Sequence, residues 1–384
     1  MKTLYRTAAV AHATGPDLLL DQSVLVADGV VVWMGPDDEA PATEADRIID
    51  AGGATIVPGM VDAHSHTTLP GGSHWIDRID DTTEDLLSAA EHNGEIGYQA
   101  GIRWFRDVGA PQRDDRALSL TVRDDWAGRR DRPYIRAAGT WIERTEMFGF
   151  TVSAEDADAV EVAVTQQLAE GADLIKIYVE GPDVDTSTWS VGEVERAVSV
   201  AATAGVPVTA HATNLPSVRA AVAGGVDCVE HGTALDADLA ADMAARGTYL
   251  VPTLAINASW AGFGSTTTLE RFTGDEAATR MAERRERAYE SLRLAVDAGV
   301  TIAAGTDFGG GSLRANQLAW EVEHLVDAGM EPWQALAAAT WIGGDLLREP
   351  GAGRLTVGGP ADFFFVHGDP LQDPAALWRV WRIA

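Results

Sequence analysis

With 384 residues, 46% of them hydrophobic, the chain is too long for one small core and suits a large α/β barrel, alone or with an accessory domain. A formal net charge of −29 argues against nucleic acid or anionic membranes as partners, since both would be repelled, and no apolar stretch approaches a membrane span. With no early basic start, apolar run and cleavage site in series, the expectation is a cytoplasmic protein acting on a small-molecule substrate, homo-oligomerisation being left open.

In chain order, residues 3–56 read as short strands and turns, with Ser23-Val24-Leu25-Val26-Ala27 and Val30-Val31-Val32-Trp33-Met34 flanking the hairpin signal Asp28-Gly29. The run 36–45, rich in Asp, Glu and Pro, predicts a surface loop. From residue 54 onward, short apolar runs alternate with longer amphipathic ones. Strand-like runs cover 55–66, 101–109, 134–142, 174–180, 206–211, 228–231, 249–256 and 301–307. Apolar spacing and alanine content predict helices at 83–99, 154–169, 191–204, 236–246 and 269–298. Eight strands separated by helices predict a (β/α)8 TIM barrel rather than an open doubly wound sheet, and no phosphate-cradling glycine pattern follows an early strand. A helix is predicted at 332–347, after which 353–366 returns to strand-like chemistry. The predicted architecture is therefore a barrel over 57–349 and a small β-sandwich domain built from 1–56 and 350–384.

Chemistry concentrates where the predicted strands end, which in this fold is where catalytic groups sit. His64 and His66 end strand 1 two residues apart, so an extended backbone aims both imidazoles to one face. Lys176 lies in strand 4, His211 ends strand 5, His231 ends strand 6 and Asp307 ends strand 8. Each has an ordinary structural reading: Lys176 as a buried ion-pair partner, His211 and His231 as satisfied core histidines, Asp307 as a helix N-cap. All six on one rim point to metal binding. The only lysines are Lys2 and Lys176, so Lys176, in the apolar run Leu174-Ile175-Lys176-Ile177-Tyr178, marks the one internal position where arginine does not serve. Cys228 is the single cysteine and is expected as a buried thiol.

These residues stand in Asp62-Ala63-His64-Ser65-His66, Asp173-Leu174-Ile175-Lys176-Ile177, Thr209-Ala210-His211-Ala212, Val229-Glu230-His231-Gly232 and Ala304-Gly305-Thr306-Asp307. With the flanking Val57-Pro58-Gly59 and Gly359-Pro360-Ala361-Asp362, the set resembles the amidohydrolase superfamily in its binuclear subtype with a carboxylated lysine. Within it the chain is most similar to the imidazolonepropionase-like and prolidase-like dipeptidase branch. The resemblance implies two divalent metal ions, zinc by ligand type with manganese, cobalt or iron as alternatives. It places His64, His66 and Asp307 on one ion, His211 and His231 on the other, and a CO2-derived carbamate of Lys176 between them. A hydroxide bridging the metals would attack the substrate, Asp307 would carry the proton, and Tyr178 would donate to the oxyanion unless it is a packed barrel tyrosine.

In the predicted loops, Trp75, Trp141, Trp189 and Trp260 suggest an aromatic wall for a bulky apolar substrate part, the ordinary alternative being packing on the barrel rim. Arg144 and Arg314 are candidates for a substrate carboxylate. The loop 141–148 differs from the glycine-rich, histidine-containing loop of dipeptidase-like members, and the glycine-containing loops 67–81 and 257–274 are long enough for lids. The expected activity is hydrolysis of a C–N amide bond in a dipeptide or N-acyl amino acid. The same site would also serve a lactonase or esterase, a cyclic amidase or a phosphotriesterase. A noncatalytic scaffold predicts missing ligands, and all six are present.

Overall fold

The computed structural model describes residues 1–144, 151–181 and 183–384. Both chain ends contribute to one seven-stranded mixed sheet: Lys2–Val10, Leu19–Ala27, Val30–Pro36, Arg47–Asp50 and Thr55–Pro58 from the start, Phe363–Val366 and Val380–Ile383 from the end. Asp28 and Gly29 turn the predicted hairpin, pairing Ala27 with Val30. Where the sequence predicts a sandwich of two sheets, hydrogen bonds run through one. The reason lies in Lys2–Val10, which pairs with Arg47–Asp50 through residues 3–6 and with Thr55–Pro58 through residues 9–10. It changes neighbours beside Thr7, whose φ of 54° bends the strand, so one strand serves both partners. Tyr5, Val24, Ile56, Phe363 and Phe365 form the core of this sheet. The acidic run 36–45 contains two single-turn 3-10 helices, Asp37–Glu39 and Ala42–Glu44.

Gly59 alone separates Thr55–Pro58 from Met60–Ser65, the first of a series of parallel strands. Met60–Ser65 lies beside Ile102–Asp107, and that beside Tyr134–Ala137. A second parallel sheet of six strands runs Val152–Ser153, Ile142–Glu143, Ile175–Tyr178, Val208–Ala212, Cys228–His231 and Tyr249–Val251. A parallel bridge from Ala138 to Leu174 links the two sheets at one side, and bridges from Leu250 to Ile302 and from Ser65 to Phe308 link them at the other through the stretch 301–308. With Tyr134–Ala137 and Ile142–Glu143 taken as one stretch and Val152–Ser153 as an edge strand, eight parallel segments follow one another in a cyclic order that returns to the first. Along them, Ile175, Ile177, Ala210 and Val229 join the large apolar core, and the alternate positions carry the polar groups described below.

Helices follow the strands, and their starts are written in the sequence. Thr82, Asp156, Ser190, Asn214 and Asp236 each cap a helix by accepting a backbone N–H, Ser190 in a capping box with Glu193. Three helices escape the sequence reading, Leu118–Asp125, Leu215–Ala223 and Leu318–Asp327, each shorter than three turns. The predicted strand 249–256 stops at Val251, and Ala255–Phe263 is helical, as is Asp275–Ala298. The predicted helix 332–347 is two, Pro332–Ala338 and Trp341–Leu346, broken at Thr340. Among the described residues, no helix is long and apolar enough to cross a membrane.

The cycle closes where 301–308 meets Met60–Ser65: Ala63 N donates to Ala304 O at 2.9 Å and Asp307 N to His64 O at 2.8 Å. The approach depends on Gly305, at which a Cβ would stand 2.6 Å from both His64 N and Val251 Cγ1. Gly305→Ala is therefore expected to lower unfolding free energy by about 1–3 kcal/mol in urea titration. Gly262→Ala, in helix Ala255–Phe263 with nothing within 4 Å of the new Cβ, should instead be neutral or stabilising by about 1 kcal/mol.

Candidate metal centre

At the ends of the parallel strands four imidazoles each have one ring nitrogen fastened from behind. His64 Nδ1 bonds Glu230 Oε2 at 2.7 Å, His66 Nδ1 donates to Gly109 O at 2.7 Å, His231 Nδ1 meets Thr253 Oγ1 at 2.7 Å, and His211 Nε2 meets Glu180 Oε1 at 3.0 Å. The other nitrogens converge. His64 Nε2 and His66 Nε2 both lie 3.3 Å from Asp307 Oδ1, and His231 Nε2 lies 3.0 Å from His211 Nδ1. One ligand atom from each of His64, His66 and Asp307 lies within 4.8 Å of the others. Outer partners that fix tautomer and orientation, with inner nitrogens facing a shared centre, are how proteins prepare histidines for a cation.

Electrostatics agree with that preparation at His211, His231 and Asp307, whereas at His64 burial is outweighed by the charges of Glu230 and Asp307, which raise the proton affinity. Burial lowers the proton affinity of His211 against the opposing charge of Glu180. Burial and then the neighbouring His211 and His64 hold His231 well below the usual range, so both favour the neutral form that binds metal. Burial opposes ionisation of Asp307, but His64 and His66 overcome it and keep the carboxylate charged. Lys176 is buried with Nζ unpartnered among the described residues, and burial brings its pKa down to about 8. An amine so placed is neutral in about a tenth of molecules at pH 7 and faces no acceptor among the described residues.

Beneath the imidazoles lies a buried charge pair. Glu230 Oε1 accepts from Arg106 Nη1 at 2.7 Å and from Thr209 Oγ1, while Oε2 takes His64. Burial raises the proton affinity of Glu230, and the charges of Arg106, His64 and Lys176 more than reverse it, leaving the carboxyl well below its ordinary range. Asp62, also buried, accepts from Thr306 Oγ1 at 2.6 Å and Thr306 N at 3.0 Å. Burial brings its pKa up to about 6, against those hydrogen bonds. His231 and Asp307 sit at φ 71° and 58°, in the left-handed region that costs a non-glycine residue about 1–2 kcal/mol.

The amidohydrolase family model matches residues 55–382, which takes in every strand of the cycle and every group of this centre. The chain belongs to the amidohydrolase family. An uncharacterized protein of Mycobacterium tuberculosis (strain H37Rv) is 33% identical, over 91% of this chain and 88% of the relative. Imidazolonepropionase of Salinispora tropica is 30% identical, over 94% of this chain and 88% of the enzyme. A crystal structure of a Xaa-Pro dipeptidase with methionine in its active site shares the fold at TM-score 0.85 and 24% identity, over 100% of this chain and 98% of that one. This amidohydrolase is thus related to imidazolonepropionase and shares its fold with the Xaa-Pro dipeptidase, and it is a hydrolase acting on carbon–nitrogen bonds.

Over the centre of the amidohydrolase opens a cavity of about 220 Å³. His64, His66, Lys176, His211, His231 and Asp307 all line it, together with Tyr178, Trp75, Trp141 and Trp260. Tyr178 stacks on His211 at 3.9 Å between ring centroids, and Trp141 meets His66 edge-on at 5.0 Å. Trp75 and Trp260 stack at 5.9 Å, joining the loops after the first and seventh strands. Three predicted substrate contacts lie outside this lining. Trp189 is buried in the apolar core under the helix it precedes. Arg144 is held by Glu193 at 2.8 Å and by Thr188 O at 3.0 Å, and Arg314 donates to Pro70 O. Residues 145–148 of the loop after the third strand lie outside the described residues.

Glu230, Arg106, Asp62, Glu180 and Arg284 were missed by sequence reasoning. Glu230 and Glu180 flank or approach recognised motifs, a usable signal, but Arg284 sits in the charged run Glu283-Arg284-Arg285-Glu286-Arg287, which reads as a solvated helix face. Gly310 earns its place locally, since a Cβ there would stand 2.1 Å from His66 Cδ2. Glu230→Ala is expected to cost about 3–5 kcal/mol, by urea unfolding of chelator-treated protein, because Arg106 would stay buried without its counter-charge. Replacing both partners, Glu230→Met with Arg106→Met, should recover most of that loss; a double variant as unstable as the single one would refute the charge-pair account.

Proposed function

We propose that this amidohydrolase cleaves the amide bond of a dipeptide or an N-acyl amino acid bearing an apolar or aromatic group, with the help of two divalent metal ions. The observation that carries the reading is the set of inward-facing groups: four imidazole nitrogens, the Asp307 carboxylate and an unpartnered Lys176 amine on one cavity floor. In this reading His64, His66 and Asp307 hold one ion and His211 and His231 the other. A neutral Lys176 amine could add CO2 with release of a proton, and the carbamate would supply anionic oxygen ligands to the metal ions. Arginine could not, since its guanidinium stays protonated. A donor set of nitrogen and oxygen suits zinc, with manganese, cobalt or iron as alternatives. Burial raises the proton affinity of Cys228, which keeps thiolate out of the set.

Metal ions bound here would supply an acidified water and a Lewis acid for the scissile carbonyl. The chain does the rest. Asp307, within 3.3 Å of both His64 and His66, is positioned to accept the proton of the attacking water and return it to the leaving nitrogen. Burial pushes the Tyr178 proton affinity upward, so its hydroxyl stays a neutral donor for the developing oxyanion. Trp75, Trp141, Trp260, Ile76, Ile79 and Ile256 exclude water and offer the apolar surface. The cyclic order of parallel segments fits a closed (β/α)8 barrel over 57–349, with 1–56 and 350–384 as the accessory β domain.

Mass-spectrometric screening of protein loaded with zinc and bicarbonate, against dipeptides and N-acyl amino acids, tests the reaction. Cleavage confined to members with aromatic or bulky apolar groups is the expected result. No cleavage by protein that carries two metal ions would refute it and redirect the site to lactones, cyclic amides or phosphotriesters. Lys176→Ala is expected to lose metal, counted by elemental mass spectrometry, and activity together; full activity without that side chain would remove the carbamate from the mechanism.

A further inference from the structure

One cation in the cavity is not accounted for by the centre. Arg284, from the helix Asp275–Ala298, reaches the lining with its guanidinium 5.0 Å over the ring of Trp260. Its Nε is buried without a hydrogen-bond partner, and among the described residues it forms no ion pair. The other arginines of the neighbouring loops are engaged. Arg144 is tied to Glu193, Arg314 to Pro70 O, and Arg271, whose Nε is also without a partner, donates through Nη2 to Ser73 O while covering Trp75 at 4.8 Å. Two acidic groups share the cavity with Arg284: Asp307 meets His64 and His66, and Glu180 is occupied by His211 and by Thr213. Burial lowers the proton affinity of Arg284 and the charge of Glu180 partly restores it, but a guanidinium remains charged at any physiological pH.

A partly desolvated guanidinium with free donors is stabilised by a planar anion, and carboxylate matches its fork in two parallel hydrogen bonds. Next to it the stacked Trp75 and Trp260, with Ile256, supply a flat apolar surface. Building on the amide-hydrolase reading above, we infer that Arg284 binds a carboxylate of the substrate and seats the attached apolar side chain on Trp75 and Trp260. The substrate class this selects is the N-acylated amino acid or dipeptide with a free carboxylate, in preference to neutral amides, ureas or esters of the same shape. Arg284 takes the role that the sequence suggested for Arg144 and Arg314.

Calorimetric titration of the metal-loaded protein with 3-phenylpropanoate and with 3-phenylpropanamide tests the assignment without requiring turnover. The wild type is expected to hold the carboxylate about tenfold to a hundredfold more tightly than the carboxamide. Arg284→Met should erase about tenfold or more of that ratio, with carboxamide affinity reporting whether the tryptophan wall is intact. Arg284→Lys, which keeps the charge and loses the fork, should fall between. A ratio left unchanged by Arg284→Met, or a wild type that binds both compounds equally, overturns the inference whatever the protein hydrolyses. A ratio that collapses as expected in a protein that cleaves no amide leaves Arg284 as the carboxylate site and refutes the amide-hydrolase reading alone.

Discussion

One buried carboxylate ties the two halves of the cycle together. Glu230, on the sixth parallel strand, reaches His64 on the first, Arg106 on the second and Thr209 on the fifth. An isolated charge at that depth would be driven to neutrality; two donors and a guanidinium make it tolerable and, in turn, rigid. The consequence for the site is geometric. With Nδ1 of His64 committed to Glu230, only Nε2 is left to face Asp307, so the charge pair below sets the orientation of the imidazole above. Arg106 adds a bond to Ala63 O at 3.0 Å, fixing the backbone that carries His64.

A strand delivers alternate residues to one face, and this centre needs more than alternation allows. Thr209 and His211 obey the rule, as do Lys176 and Tyr178. Glu230 and His231 cannot both face inward on a regular strand, nor can Thr306 and Asp307, yet all four do. The left-handed backbone at His231 and Asp307 turns the second member of each pair back toward the centre. Thr306 bonds Asp62 while Asp307 meets the histidines. The strain is sustained because each strained residue lies in a segment hydrogen-bonded to its parallel neighbour: Asp307 N donates to His64 O, and His231 pairs in register with Ala212.

This explains what could be read from the chain and what could not. The six groups on the cavity floor were legible because each ends or lies in an apolar run, and the eight runs gave the order of the strands. Glu230 was hidden by parity, since placing His231 inward implies that its neighbour points away. The single mixed sheet was hidden because a change of neighbours beside Thr7 is a property of one residue's backbone angle and has no compositional mark. Trp189 and Trp260 look alike in sequence, both standing in predicted loops. The first precedes a capped helix that covers it, and the second finds Trp75, a partner 185 positions away in another loop. Arg284 is illegible for a related reason: in a helix with arginines at 284, 285 and 287, only the packing of the helix over the rim decides which one faces the cavity.

Cations and rings form one column across the mouth, with Arg271 over Trp75 at 4.8 Å, Trp75 on Trp260, and Trp260 under Arg284 at 5.0 Å. A guanidinium therefore lies within 5.0 Å of each ring of the tryptophan pair, and the attraction of cation for ring helps to hold two segments from distant parts of the chain together. The apolar wall and the charged group are in consequence one object. Displacing Trp260 would remove the plane on which Arg284 rests, and displacing Trp75 would uncover Trp260. Chemistry at the strand ends is fixed by backbone hydrogen bonds and buried charge, whereas selection at the mouth depends on side chains stacked across loops. The same floor can serve different leaving groups as long as the column above it changes, which is why the floor was readable from sequence and the substrate had to be argued from packing.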